Sequence, residues 1–365
     1  MPRSIMTTNP LTASTPGRIC LFGEHQDYLG LPVIAAAISR RVSVSAHRSG
    51  PPQVRLQLPD LKQEITFDIS QFPLTYLHDR DYFSSALNVL HREGLRFSEG
   101  ISGEVSGNIP INAGTSSSSA LLISWLNILS QLADTPRTFS PAQLAEFAYV
   151  AEVLEFGDPG GMMDHYSTAL GGVIYLESVP QIKVEPFTPA LGTFVLGDSG
   201  EPKDTIGLLR YVKCGMLAAM DKMRAFDPSF SLEKLPIDGL ARYVHLLTPD
   251  EKTLVHGNLS DRDILRDALM LLRQPIIDHQ QFGNLLTFHQ NNLRDAKRIS
   301  TPKIDRMINA ALAAGAYGAK INGSGGGGCM FAYAPEHPAS VAEAIERAGG
   351  RAYLIEVDQG TWRIG

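Results

Sequence analysis

Residues 107–122, reading GNIPINAGTSSSSALL, constrain this chain more than any other stretch. A polar loop holding Pro110, Gly114 and four consecutive serines runs directly into an apolar helical pattern over residues 120–132. Unpaired backbone N–H groups and small hydroxyls then gather at a helix N-terminus, where the helix dipole favours an anion. Phosphate is the natural guest. The plainer alternative is a linker that ends in a serine cap, since serine commonly caps helices. A linker, however, needs neither the proline and glycine ahead of the serines nor a helix beginning inside the run.

At 365 residues the chain exceeds one ordinary core, so two domains are expected. Apolar residues at 44% and charged residues at 19% describe a soluble globular protein. A net charge of −6 gives no general attraction to nucleic acid or to an anionic membrane. The N-terminal MPRSIMTTNPLTAST lacks the apolar centre of a signal peptide, and no stretch reaches the ~18 apolar residues of a membrane span. A cytoplasmic location is therefore expected. Cys20, Cys214 and Cys329 are far apart and odd in number, which argues against a disulfide framework or a cysteine metal site.

Hydrophobic patterning predicts strands at residues 18–22, 33–46, 54–58, 65–67, 101–105, 172–176, 193–197, 329–333 and 353–357. It predicts helices at 82–92, 120–132, 141–156, 162–170, 205–226, 236–247, 261–272, 282–295, 303–314 and 339–348. The class is α+β, with strands in front and helices dominating the second half. The proline-rich stretch 180–189 marks the expected boundary, dividing the chain into domains 1–185 and 186–365.

Residues 323–328 hold five glycines in six positions. Gly323-x-Gly325-x-x-Gly328 matches the dinucleotide fingerprint only as a bare pattern, because that fingerprint follows a strand and opens a helix. Here a helical stretch lies upstream and a strand downstream. No G-x-x-x-x-G-K-[ST] loop occurs either. The cluster is thus expected to bring backbone close to a ligand or phosphate. Arg18, Glu24, His25 and Asp27 form a polar turn between two apolar strands, a place for gripping a polyhydroxylated ligand, although a solvated turn is the ordinary alternative. Glu152, Asp158 and Asp164 flank the Gly160-Gly161 break. Acids near helix starts often serve as caps, but a glycine break permits a close backbone approach at Asp164.

The segments PGRICLFGEHQDYLG, PINAGTSSSSA, AEVLEFGDPGGMMDH and INGSGGGGC occur in an order that resembles the GHMP small-molecule kinases, most of all their galactokinase branch. The likeness covers nearly the whole chain and implies a two-domain fold with the active site between the domains. It implies that Asp164 is the catalytic base and that Arg18 keeps it ionised. It assigns Glu24, His25, Asp27 and Gly161 to the sugar, and Gly114, Thr115, Ser116, Ser117, Ser118 and Ser119 to the nucleotide. Ser118 and Glu152 would hold Mg²⁺, with ATP as co-substrate. The implied partners are a small sugar and ATP, not nucleic acid or membrane. The implied reaction is phosphorylation of the anomeric hydroxyl of galactose or a related aldose. Departures surround the sugar site. Residues 198–205 lack the histidine and tyrosine usual in the branch, Gly160 replaces a cysteine, and His165 replaces a glutamine. Two alternatives stay open: a kinase of a non-sugar alcohol such as mevalonate, and a catalytically silent sensor of sugar and ATP. A serine hydrolase is disfavoured, because no Ser-x-x-Lys partner lies in or near the serine run.

Overall fold

The computed structural model describes residues 10–364 apart from 111–113, 159, 203–206 and 209. The first sheet is built around β1 (Leu11–Phe22) and the long β2 (Val33–Ser49), an antiparallel pair. The length of β2 lets it serve two neighbours. Its second half pairs with β5 (Gly100–Gly107), while Val33 to Ala36 pair with β6 (Val173–Glu177). Beyond β5 lie β3 (Gln53–Leu58) and β4 (Gln63–Asp68).

Period-two alternation sends the side chains of β1 and β2 to two different cores. Cys20, Val33 and Ala35 face the core formed with helices α1 (Tyr82–Arg92), α2 (Ser117–Leu132), α3 (Pro141–Tyr149) and α4 (Met163–Leu170). Ile19, Leu21, Ile34 and Ala36 face the other way, onto Phe194, Phe282, Phe331 and Tyr333 of the second half. This shared apolar layer joins the halves. A second, four-stranded sheet runs β11 (Arg351–Ile355), β8 (Phe194–Asp198), β10 (Cys329–Tyr333), β9 (Gly318–Ile321). Helices α5 (Gly215–Phe226), α6 (Pro249–Leu272), α7 (His279–Asp295), α8 (Pro302–Ala313) and α9 (Pro338–Arg347) complete the second half.

The proline-rich stretch is not a bare linker. It contains β7 (Lys183–Phe187), which pairs with β6 on the first sheet. Pro186 is tolerated there because, among the described residues, β7 pairs on one side only. The 185/186 division therefore falls within a strand, and the chain end returns as β12 (Trp362–Ile364) to pair with β1. Four helical expectations also change. Residues 236–247 form short 3₁₀ turns, and α6 starts earlier, at a Thr248 capping box followed by Pro249. The helix read over 141–156 gives way at Val150–Leu154 to a π-helical turn. The helix read from 205 begins partly outside the described residues and runs regularly only over α5.

Candidate active site

An open cleft of about 310 Å³ gathers most of the residues singled out from the sequence. Arg18 reaches it from β1. Glu24, His25 and Asp27 reach it from the turn between β1 and β2. Ser118 and Ser119 come from the first turn of α2, Glu152 from the π-helical turn, and Asp164 from the first turn of α4. Gly323 and Ser324 arrive from the second half. The cleft therefore lies where the two halves meet.

Arg18 is fixed by its surroundings. Its backbone N–H donates to the Thr115 carbonyl at 3.1 Å, and its guanidinium donates to the Gly114 carbonyl. Its Nε donates to Asp164 Oδ1 at 2.8 Å and its Nη2 lies 2.7 Å from the same oxygen. Burial pushes the Asp164 carboxyl up, but the charges of Arg18 and His165 outweigh it and hold the group below its ordinary range. Asp164 is thus an ionised carboxylate at neutral pH. Glu152 follows the same pattern. Burial works against its charge, while the hydrogen bond and charge of His165, with the Ser118 and Ser119 hydroxyls, bring its pKa down.

Close packing explains two glycines. A Cβ at Gly161 would overlap the Asp27 carboxylate, and one at Gly17 would press on the Thr115 carbonyl. Asp27 accepts the Tyr28 N–H at 2.9 Å. Burial, helped by the charge of Asp164 and opposed by that N–H, raises its pKa to about 6. His25 adopts φ 62, in the left-handed region. Such backbone costs roughly 1–3 kcal/mol and needs outside support. The ring supplies it, with Nδ1 3.1 Å from the Tyr28 hydroxyl and Nε2 3.0 Å from the Ser324 carbonyl.

The glycine cluster sits behind this wall. Asn322 accepts the Cys20 N–H at 2.9 Å and donates to the Gly114 carbonyl at 2.9 Å. A Cβ at Gly323 would stand 3.0 Å from that carbonyl. The serine loop, Arg18 and the glycine loop are therefore one packed unit.

Two expectations need correction. The Glu24 residue borders the cleft, but its carboxylate does not face it. That group is sealed inside, 1% exposed, on the Lys320 ammonium. Thr115 is fully buried, with its hydroxyl 3.5 Å from the Pro110 carbonyl, so its side chain is turned inward. Within residues 114–119 the cleft itself is lined by Ser118 and Ser119. Ser116, buried, and Ser117, half-buried, stand behind them. No side chain caps α2 at Ser116, so the cap does not compete for the helix N–H groups. Of the altered segment 198–205, residues 203–205 lie outside the described residues.

Arg80 and Lys320 were not singled out from the sequence, and His165 was noted there only as a departure beside the sugar site. Arg80 pairs with Asp158 at 3.1 Å, and both line the cleft. His165 holds Glu152. Lys320, fully buried in β9, holds Glu24. A lysine between Ala319 and Ile321 in an apolar strand was the one signal available, since a buried ammonium demands a buried partner.

Among the described residues no cluster of three or more His, Cys, Asp or Glu side chains could cage a metal ion. The Ser118 hydroxyl and the ionised Glu152 carboxylate still fit Mg²⁺, which needs only one or two protein oxygens beside substrate phosphates and water.

Residues 81–172 match the model of the GHMP kinases N terminal domain, and residues 268–351 match that of the GHMP kinases C terminal. Together these segments span both halves of the chain and carry the serine loop, Glu152, Asp164 and the glycine cluster. The chain belongs to the GHMP kinases. It is thus a phosphotransferase acting on a small-molecule hydroxyl with ATP as co-substrate. Residues 3–48 match the galactokinase galactose-binding signature. The mevalonate kinase of Thermococcus sibiricus is 28% identical, covering 96% of this chain and 97% of that one. The galactokinase of Pyrococcus furiosus is 27% identical, covering 92% and 93%. The crystal structure of Lactococcus lactis galactokinase complexed with galactose matches with a TM-score of 0.83 at 21% identity, over 98% of this chain and 96% of that one. That likeness carries the fold. No helix among the described residues is long and apolar enough to cross a membrane.

Proposed function

We propose that this kinase phosphorylates a hydroxyl of a cyclic sugar, the anomeric hydroxyl of galactose or a closely related aldose. The observation that carries the reading is Asp27. Its carboxylate lies against Gly161 on the same cleft as Asp164, so an acceptor there meets two acidic groups. Hydroxyls can donate to both. A carboxylate-bearing acceptor such as mevalonate would meet repulsion instead. The match of residues 3–48 to the galactose-binding signature supports the same reading.

In this reading Asp164 accepts the proton of the attacking hydroxyl. Arg18 keeps Asp164 ionised and compensates negative charge beside the transferred group. Phosphoryl transfer depends on positioning and charge neutralisation more than on covalent help, and these residues supply both. His25 and Asp27 orient the acceptor, while Glu24, sealed on Lys320, only holds the backbone behind them. The open N–H groups of α2, with Ser118 and Ser119, receive the phosphates. Ser118 and Glu152 would hold Mg²⁺, which when bound neutralises charge on the nucleotide.

A second reading, a non-sugar alcohol such as mevalonate, is favoured by the 28% identity to a mevalonate kinase over nearly the full length of both chains. Arg80 is the cation that would meet its carboxylate. Coupled ADP release across galactose, arabinose, other aldoses, uronic acids and mevalonate separates the two. Turnover of an aldose is expected. Turnover of mevalonate with refusal of every sugar would sink the sugar assignment and leave the kinase. Binding of sugar and ATP without turnover would make the chain a sensor.

A further inference from the structure

Glu152 occupies an unusual piece of backbone. The π-helical turn Val150–Leu154 carries it, closed by Glu155 N–H donating to the Val150 carbonyl at 3.0 Å. Such turns swing side chains off the register of the preceding helix and recur at functional sites. A side chain displaced in this way needs something to fix its aim. Beside the Ser118 hydroxyl, which also bonds this carboxylate, two groups hold one of its oxygens. The Ser119 hydroxyl donates to Glu152 Oε2 at 2.7 Å, and His165 Nε2 lies 2.8 Å from that same oxygen. Because an ionised carboxylate can only accept, His165 Nε2 must carry the proton. Both donors take Oε2, so Oε1 is the oxygen that neither of them holds.

The imidazole is well placed to be rigid. It is 2% exposed, packs edge-on to the Tyr149 ring at 5.6 Å, and follows Asp164 directly in α4. Among the described residues its buried Nδ1 finds no hydrogen-bond partner. An imidazole kept inside with one nitrogen unsatisfied costs stability. Simple packing would be met better by an apolar side chain, so the retained contact is the one to Glu152.

We infer that His165 is a positioning residue for the metal-facing carboxylate: it clamps Glu152 Oε2 so that Oε1 is presented beside Ser118 to a hard divalent cation. This rests on the proposed role of Glu152 and is independent of which acceptor is phosphorylated. Partners that orient metal ligands typically contribute ~10–100-fold to metal affinity.

The test is a Mn²⁺ titration with a non-hydrolysable ATP analogue, read by water-proton relaxation on wild type, Glu152→Ala, His165→Leu, His165→Asn and His165→Gln. Glutamine keeps an N–H donor at about the reach of Nε2, whereas asparagine is polar but too short and leucine has no donor. The expected result is loss of the bound-metal signal in Glu152→Ala. Affinity should be weakened by ~10–100-fold in His165→Leu and His165→Asn and restored close to wild type in His165→Gln. If His165→Leu fails to fold, the asparagine and glutamine variants still decide. Wild-type affinity in His165→Asn alongside loss in Glu152→Ala overturns the positioning role alone. An unchanged signal in Glu152→Ala removes the metal assignment and the inference with it.

Discussion

Two groups of charges lie on opposite sides of the turn that carries residues 23–28. On the cleft side, Arg18 pairs with Asp164, whose side chain is 33% exposed. On the inner side, Glu24, Asp261, His289, Lys297 and Lys320 form a cluster shut away from water. Lys320 holds the Glu24 carboxylate and donates to the Cys20 carbonyl at 2.9 Å. Lys297 donates to the Glu24 carbonyl at 2.7 Å and lies 2.9 Å from Asp261 Oδ2. His289 stands 3.7 Å from each carboxylate, and burial together with the two ammonium groups keeps it neutral. Two anions face two cations, so the cluster balances. The same residue types thus do different work. Where the carboxylate meets the cleft it can exchange a proton; where it is sealed it can only hold backbone in place. Removing one partner should therefore cost rate on the cleft side and stability on the inner side.

The largest effect belongs to the cleft. Asp164→Asn should bind both substrates and lose about 10²–10⁴-fold in kcat, the usual contribution of a general base, with little change in the urea midpoint. Retention of more than half the wild-type turnover would make Asp164 a structural partner of Arg18. Next comes Lys320→Met, which strands the Glu24 carboxylate in the interior. Breaking a buried pair in this way costs about 3–5 kcal/mol. Equilibrium urea unfolding should show that loss. A variant as stable as wild type would mean that Glu24 reaches water, and the contrast between the two groups would fail.

The contrast also explains what could be read from the chain beforehand. Arg18, Ser118, Glu152 and Asp164 were legible because each sits in a short local pattern: a strand end, a serine run into a helix, a glycine break. The period-two stretches of β1 and β2 were legible for the same reason, although the strands run longer than their apolar centres. Glu24 was placed on the acceptor because its turn is polar, and nothing nearby in sequence announces Lys320, 296 residues away. The edge strand β7 was hidden by its prolines, and β9 by being only four residues long. The π-helical turn at Glu152 has the composition of an ordinary helix, so tertiary contacts alone reveal it.

Asp27 stands between the two groups and gives the smallest and most discriminating effect. It touches the cleft, yet burial and the neighbouring Asp164 charge raise its pKa from 3.8 to about 6. The folded state therefore keeps a proton that the unfolded chain releases near pH 4. Stability from this group is fully present below that pH and is lost as pH rises through about 6. Asp27→Asn removes the dependence. Its melting temperature should match wild type near pH 4 and exceed it by a few degrees near pH 7, with water in the open cleft keeping the gap modest. The same variant should raise KM for the sugar and leave KM for ATP nearly unchanged, because a hydroxyl that donated to a carboxylate loses a charged acceptor. Parallel melting curves from pH 4 to 7 would show that Asp27 ionises freely and belongs to solvent. A rise in KM for ATP equal to that for the sugar would place it with the nucleotide instead.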